Sequence, residues 1–319
     1  MTGRASSTAK RIDGDGVLLA ARRAGARVAR QGLRALSPVP AVVGVSPPPQ
    51  PIFLIGCPRS GTSVLNALLQ LSPEVAGLPG EGHVLWKALH HPKYHSWRSN
   101  ALAAADVTDF DRAFFSAAMR TIARGRRFLD KTPKNSLRIA YLAGLFPDAD
   151  FVFIKRQGAD NVNSLIQGWR AAPRFVTYGV PTRLNGRSRR AWSFVLIPGW
   201  ADLEGAPAEE ISARQYVACN EAALAGERLI DPSRWTSVRY EELVARPEDE
   251  LARVLDRLGL ALTPKLSNAA GHLMETPINT VTPPKLGKWR TENRAEVESI
   301  LPLIAETERK LGYEPLATS

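Results

Sequence analysis

Cysteine is nearly missing from this chain: Cys57 and Cys219 are the only two, and neither belongs to a C-x-x-C pair. Their scarcity excludes a disulfide framework and a cysteine zinc site, and leaves a reducing, cytoplasmic setting as the expectation. Long apolar runs are also missing, so no membrane span is predicted. His90, His91, His95 and His272 have no carboxylate or cysteine at metal-ligand spacing. Pro92 breaks the helical relation of His91 to His95, so these four are read as surface residues and no metal is expected. Zinc-finger spacing and RNP-type aromatic motifs do not occur either, which argues against nucleic acid as a partner.

Acidic residues are the scarcer charge, 31 against 42 Lys and Arg, for a net +11. Residues 1–50 carry +6 of it, and the remaining +5 suits a body that handles small anions. Those first 50 residues read as a basic tail, partly disordered or helical. Val17, Leu18, Ala21, Val28 and Leu36 form a weak apolar face that suits peripheral contact with an anionic membrane. Composition favours the alternative, a solvated tail. Val17–Ala21 runs into Arg22 and Arg23 too soon for a secretory core segment. Prolines between residues 38 and 51 form a stiff connector, and the globular domain is set at 51–319.

Within that domain strands and helices alternate. Strands are predicted at Ile52–Gly56, Arg127–Asp130, Phe151–Lys155 and Thr236–Arg239. Helices are predicted at Thr62–Leu71, Phe110–Gly125, Asn135–Phe146, Asp160–Arg170, Ser212–Leu229, Glu248–Leu258 and Thr291–Leu311. This order implies an α/β fold with a central parallel sheet, and ligands outside the carboxyl ends of its strands. Residues 172–211, rich in Pro, Gly and Arg, interrupt the pattern and read as an insertion or lid. Trp192 and Trp200 there, with Arg183, Arg187, Arg189 and Arg190, line an acceptor site in one reading and fill core and lid in the other.

Three segments carry chemistry. The first, Gly56-Cys-Pro-Arg59-Ser60-Gly61-Thr62-Ser63, keeps the glycine spacing and terminal hydroxyl of a phosphate-binding loop, with Thr62 where a nucleotide triphosphatase has lysine. Backbone N–H groups can still wrap an anion at the start of the next helix. The second, Asp130-Lys131-Thr-Pro133, ends a short strand and aims a fixed positive charge at the same crevice; a lone K-T-P is as often a surface loop. In the third, a buried strand runs into Arg156 and a helix that presents Ser164, a clamp for a second phosphate.

Together these segments resemble the sulfotransferases that use 3′-phosphoadenosine 5′-phosphosulfate (PAPS), most closely the tyrosylprotein sulfotransferase branch and its bacterial relatives. The resemblance also includes Leu142-Ala-Gly-Leu-Phe-Pro147, Arg239-Tyr240-Glu-Glu-Leu243 and Gly287-Lys288-Trp289-Arg290, and covers most of residues 52–315. It implies a P-loop-containing three-layer α/β/α fold, PAPS as donor, PAP as product and a hydroxyl-bearing acceptor such as a carbohydrate, lipid or secondary metabolite. By the same resemblance, Arg59, Ser60, Gly61, Thr62 and Ser63 hold the 5′-phosphosulfate and Arg156 with Ser164 the 3′-phosphate. Tyr240 is then a nucleotide contact and Lys288 a basic residue closing over it.

In that branch a glutamate past the first helix takes the acceptor's proton, and Glu81 stands at the matching place, offset by one residue. His83 is the rival base, since cytosolic members of the wider superfamily use a histidine. Catalysis then rests on positioning and charge, with Arg59 and Lys131 meeting the charge that develops. The branch's late serine has no clear counterpart here, which leaves Asn279, Thr280 and Thr282 as candidates and makes a protein-tyrosine acceptor doubtful. Two other readings stand beside this one: a P-loop kinase or nucleotide triphosphatase, disfavoured by Thr62, and a catalytically silent PAP-binding module.

Overall fold

The structure, a computed structural model, describes residues 48–182, 189–273 and 285–316. Strand β1 (Ile52–Ile55) is buried along its whole length and leads through the glycine loop into helix α1 (Thr62–Leu69). There follow β2 (Val75–Gly77), α2 (His83–His90), α3 (Asp109–Ala123), β3 (Arg127–Lys131), α4 (Ile139–Leu145), β4 (Asp150–Lys155) and α5 (Gly158–Arg170). The hairpin β5 (Val176–Pro181) and β6 (Arg189–Ser193) comes next, then α6 (Ala208–Glu227), β7 (Trp235–Arg239), α7 (Tyr240–Ala245), α8 (Pro247–Arg257) and α9 (Pro264–Gly271). The described chain ends in α10 (Trp289–Glu292) and α11 (Arg294–Lys310).

Five parallel strands form the central sheet in the order β2-β3-β1-β4-β7. Alternate side chains of β1 feed two different cores, as the strand period requires. Phe53 and Ile55 join one, with Phe151, Phe153, Trp86 and Phe146. Ile52 and Leu54 join the other, with Leu65, Val152, Ile154 and Val238. Phe53 lies 5.6 Å from Phe151 and 5.9 Å from Phe146, ring centre to ring centre. With both faces covered, β1 and β4 need continuous apolar sequence, which they have. This is the α/β architecture expected.

Local chemistry sets the helix ends. Thr108 and Asp111 make a reciprocal capping box at the start of α3. Proline occupies the first position of α8 and α9, where no N–H is needed.

Several boundaries differ from the sequence expectation. The helix predicted at 135–146 is a 3-10 turn, Pro133–Leu137, followed by α4, with Arg138 at φ −142° between them. Ser136 is drawn out of helical register by its bonds to Gly56. The C-terminal helix breaks at Asn293, whose side chain bonds Asn163 at 2.6 Å and Arg170. The span 172–211 contains the β5–β6 hairpin, pairing antiparallel. Trp192 and Trp200 are buried in the core, which decides between the two readings of them: Trp192 Nε1 donates to Val195 and Trp200 Nε1 to Trp97. His90 is the other correction. It is an interior residue, with Nε2 3.2 Å from Asp111 and 2.8 Å from the Tyr141 hydroxyl, and Nδ1 3.2 Å from His95.

The basic tail through residue 47 lies outside the described residues, as do Arg183, Arg187, Asn279, Thr280 and Thr282. Among the described residues no helix is long and apolar enough to cross a membrane.

Candidate active site

Parallel register brings distant segments to one edge of the sheet. Leu54 of β1 is paired with Lys131 on one side and Val152 on the other, so Gly56, Lys131 and Arg156 all emerge at the carboxyl ends of adjacent strands. Tyr240 follows β7 at the same edge, where Lys155 pairs with Arg239. β1 is the switch point, with the chain crossing to β2 and β3 on one side and to β4 and β7 on the other.

Close packing leaves no room for side chains at two glycines of the loop. A Cβ at Gly56 would stand 2.6 Å from the Ile154 carbonyl oxygen, and one at Gly61, where φ is +107°, 2.4 Å from the Tyr240 ring. Ser136 clasps Gly56 from both sides, accepting from its N–H and donating to its carbonyl, each at 3.0 Å. Asn161 Nδ2 holds the Pro58 carbonyl at 2.8 Å. Arg59 itself is left-handed, with φ +72°, a costly conformation that clusters at functional sites. α1 starts directly after Gly61 with no side-chain cap, and its first turn closes on the Gly61 carbonyl, which accepts from Val64 N–H at 2.9 Å and Leu65 N–H at 3.3 Å. Ser60 is turned inward: its N–H donates to Cys57 at 3.1 Å, and its buried Oγ meets no hydrogen-bond partner.

Arg156, Ser164 and Tyr240 converge on Arg59. Arg156 Nη1 donates to the Arg59 carbonyl at 3.0 Å, and Arg59 Nε donates to Ser164 Oγ at 3.1 Å. The Arg156 guanidinium lies 4.4 Å over the Tyr240 ring, and its buried Nε has no partner. Burial, then the neighbouring Arg156 and Arg174, bring Arg59 down to about 10. An anion seated beside these guanidiniums would offset that repulsion. An orphaned guanidinium N–H on Arg156, an orphaned hydroxyl on Ser60 and two glycines pressed against backbone and ring at a helix start fit the two phosphate groups of an adenosine bisphosphate. Lys288 lies above α5, 3.3 Å from Glu292, with Gly287 N–H bonded to Asp160 at 2.8 Å.

Across the loop, Lys131 Nζ donates to Ser63 Oγ at 3.1 Å and to Glu81 Oε1 at 2.8 Å. Glu81 is positioned by the start of α2. A Cβ at Gly82 would lie 2.1 Å from Asp130 Oδ1, and Trp86 Nε1 binds Asp130 Oδ2 at 2.6 Å, which pins α2 to β3. The second oxygen of Glu81 meets His83 Nε2. Burial raises the Glu81 pKa, but Lys131 and His83 outweigh it and hold the carboxyl well below its usual range. Burial and then Lys134 bring His83 down to about 4, so its imidazole is neutral near pH 7. A neutral imidazole and an ionised carboxylate therefore share one corner, both capable of accepting a proton.

The structure thus gathers Ser63, Lys131 and Glu81 on one side of the loop and Arg59, Arg156, Ser164 and Tyr240 on the other. Sequence reading did not find Ser136, Asn161 or Lys134. Their backbone-clasping and ring contacts have no spacing signature, although Lys134 lies within Lys131-Thr-Pro-Lys134.

Comparison with known proteins gives the same direction. Residues 51–264 match the model described as the Sulfotransferase family. The nodulation protein NoeE of Sinorhizobium fredii is 32% identical over 231 residues, covering 67% of this chain and 51% of NoeE. This chain therefore spans about half the length of NoeE. Protein-tyrosine sulfotransferase 2 of Gallus gallus is 26% identical over 292 residues, 83% of this chain and 70% of that protein. The crystal structure of sulfotransferase STF9 from Mycobacterium avium superposes with a TM-score of 0.55 at 16% identity, covering 84% of this chain and 78% of that one, a likeness of fold. By the family match over residues 51–264, the chain belongs to the sulfotransferase family.

Proposed function

We propose that this chain transfers the sulfuryl group of PAPS to the hydroxyl of an acceptor, with Glu81 as general base. The observation that carries the reading is the continuous contact from Ser63 in the loop through Lys131 to Glu81. When bound, PAPS supplies the sulfuryl group and PAP is the leaving product. The loop amides with Arg59 would hold the 5′ end, and Arg156 with Ser164 the 3′-phosphate. Ser164 Oγ accepts from Arg59, which leaves its own proton to donate. Glu81 would take the proton of the attacking hydroxyl at a carboxylate oxygen. Lys131, released from part of that pairing, meets the charge growing beside Ser63.

Names of relatives support a hydroxyl acceptor. One is a protein-tyrosine sulfotransferase, and another, Stf3 of Mycobacterium bovis, is an omega-hydroxy-beta-dihydromenaquinone-9 sulfotransferase. Thr62 in place of a loop lysine disfavours phosphoryl transfer from ATP. Calorimetric titration with PAP and with ATP tests the reading. PAP should bind at least about tenfold tighter, a difference of about 1.4 kcal/mol. Preference for ATP overturns it.

A further inference from the structure

The apolar stripe of α11 ends on an acid. Val297, Ile300, Leu301 and Ile304 are buried on one face of the helix, and Glu308, one turn past Ile304, continues that face. Glu308 is 0% exposed. Its Oε1 accepts from the Gly158 N–H at 2.8 Å, while Oε2 is buried with no hydrogen-bond partner among the described residues. Burial pushes the carboxyl above its usual range. An apolar side chain here would extend the core without that cost, so the reason for an acid lies in the bond to Gly158.

That bond is one of three that grip the backbone around Arg156. The Arg156 carbonyl accepts from the Tyr216 hydroxyl at 3.2 Å, the Gln157 N–H donates to Glu241 Oε1 at 3.0 Å, and the Gly158 N–H goes to Glu308. These side chains come from α6, α7 and α11 respectively. Glu241 is held in turn by the Tyr313 hydroxyl at 2.7 Å, just past the end of α11. Glycine at 158 lets α11 approach, since a Cβ there would stand 2.6 Å from Ile304 Cδ1 and 3.0 Å from Glu308 Oε1. Two N–H groups at the start of α5 are thus taken by the protein's own carboxylates. A phosphate beside Arg156 has to be met by side chains instead, and their aim depends on this turn.

We infer that Glu308 is a positioning residue for the nucleotide: by holding the Gly158 N–H it fixes the turn between β4 and α5 and so aims the Arg156 guanidinium at the 3′-phosphate. The inference rests on the reading of Arg156 as a 3′-phosphate ligand. It puts a determinant of donor affinity in α11, outside the residues 51–264 that match the family model.

The test titrates the full chain with PAP by calorimetry. Glu308→Met keeps the length and burial of the side chain but removes the acceptor, and should raise the PAP Kd about 5- to 10-fold, the worth of one ordinary hydrogen bond. Glu308→Gln keeps an oxygen for the Gly158 N–H and should bind within about twofold of the wild type. In an Arg156→Ala background, Glu308→Met should change PAP affinity by less than about twofold, because no guanidinium is left to aim. A general loosening of the fold would weaken binding equally in both backgrounds. Wild-type affinity in Glu308→Met, failure of Glu308→Gln to restore it, or equal losses with and without Arg156 overturns the inference. Should circular dichroism show Glu308→Met unfolded, Glu308→Asp replaces it. That variant withdraws the oxygen by one methylene and should show the loss in part, and wild-type affinity in it overturns the inference as well. Failure of the wild-type chain to bind PAP counts against the donor reading, whereas PAP binding that is indifferent to Glu308 counts against the positioning role alone.

Discussion

Lys131 and Glu81, fifty residues apart, meet at 2.8 Å, with the lysine 3% exposed and the carboxylate side chain 29% exposed. The sheet fixes the cation, because β3 ends at Lys131 in register with β1. The acid sits on the looser element, between Gly80 at φ +90° and the start of α2. A rigid charge beside a more accessible carboxylate keeps that carboxylate ionised and lets an acceptor reach it.

Glu81→Gln should therefore lower turnover by roughly two to four orders of magnitude while PAP affinity changes little. It should also cost about 1–3 kcal/mol of stability, because the buried Lys131 loses its charged acceptor. Single-turnover transfer from labelled PAPS reads the first effect and urea unfolding the second. Turnover at the wild-type rate in this variant would remove Glu81 from the role of base.

Acid should weaken the fold through His83. Its imidazole titrates near pH 4 in the folded chain, against an ordinary value of about 6.5. Between those limits the unfolded chain binds a proton that the folded one refuses, so stability falls as pH drops through the window and is level above it. Glu81 behaves differently: its contribution is complete above about pH 4.3 and is lost only as pH falls through its depressed folded value. Urea midpoints from pH 7.5 to 4.5 should decline less in His83→Gln than in the wild type, by about 1 kcal/mol per pH unit inside the window. Neither candidate base titrates near 6.5, so log kcat/KM should stay flat from pH 8 to about 5.5. An acid limb centred near 6.5 would mean that His83 keeps its ordinary pKa.

What sequence alone could reveal here follows from how each feature is encoded. Ile52-Phe-Leu-Ile55 and Phe151-Val-Phe-Ile154 are apolar on every residue because both sheet faces are covered, so their strands were legible. Parallel strands then carry Gly56, Lys131, Arg156 and Tyr240 to one edge, and the site's outline was legible with them. Contacts that local periodicity does not encode were not. Ser136 clasps Gly56 from within a 3-10 turn, Arg59 adopts a left-handed backbone, and His90 finds Asp111 across twenty-one residues. β2 is three residues long and α2 eight, too short for periodicity to announce them.

Arg156→Ala should weaken PAP binding first. The side chain is 9% exposed, donates to the Arg59 carbonyl at 3.0 Å and keeps one buried N–H without a partner. A charged hydrogen bond is worth about 1.5–3 kcal/mol, or roughly 10- to 150-fold in Kd. Because Arg156 also holds the loop, Ser164→Ala is the sharper comparison: it removes a single hydroxyl and should cost about 1 kcal/mol without changing the thermal midpoint. Unchanged PAP affinity in both variants, measured by calorimetry, would cancel the 3′-phosphate assignment.

Gly61→Ala separates two reasons for a glycine. Its φ of +107° strains any L-residue by about 1–3 kcal/mol, and its new Cβ would press on Tyr240 at 2.4 Å. The single substitution should lose both amounts in stability and abolish measurable PAP binding, since the loop must move. Removing the ring in Gly61→Ala with Tyr240→Ala relieves the crowding, about 1–3 kcal/mol, and leaves the backbone strain. A double-mutant cycle by urea unfolding should show a favourable coupling of that size. Additive losses would mean that the ring yields at no cost, and that only the left-handed turn calls for glycine at this position.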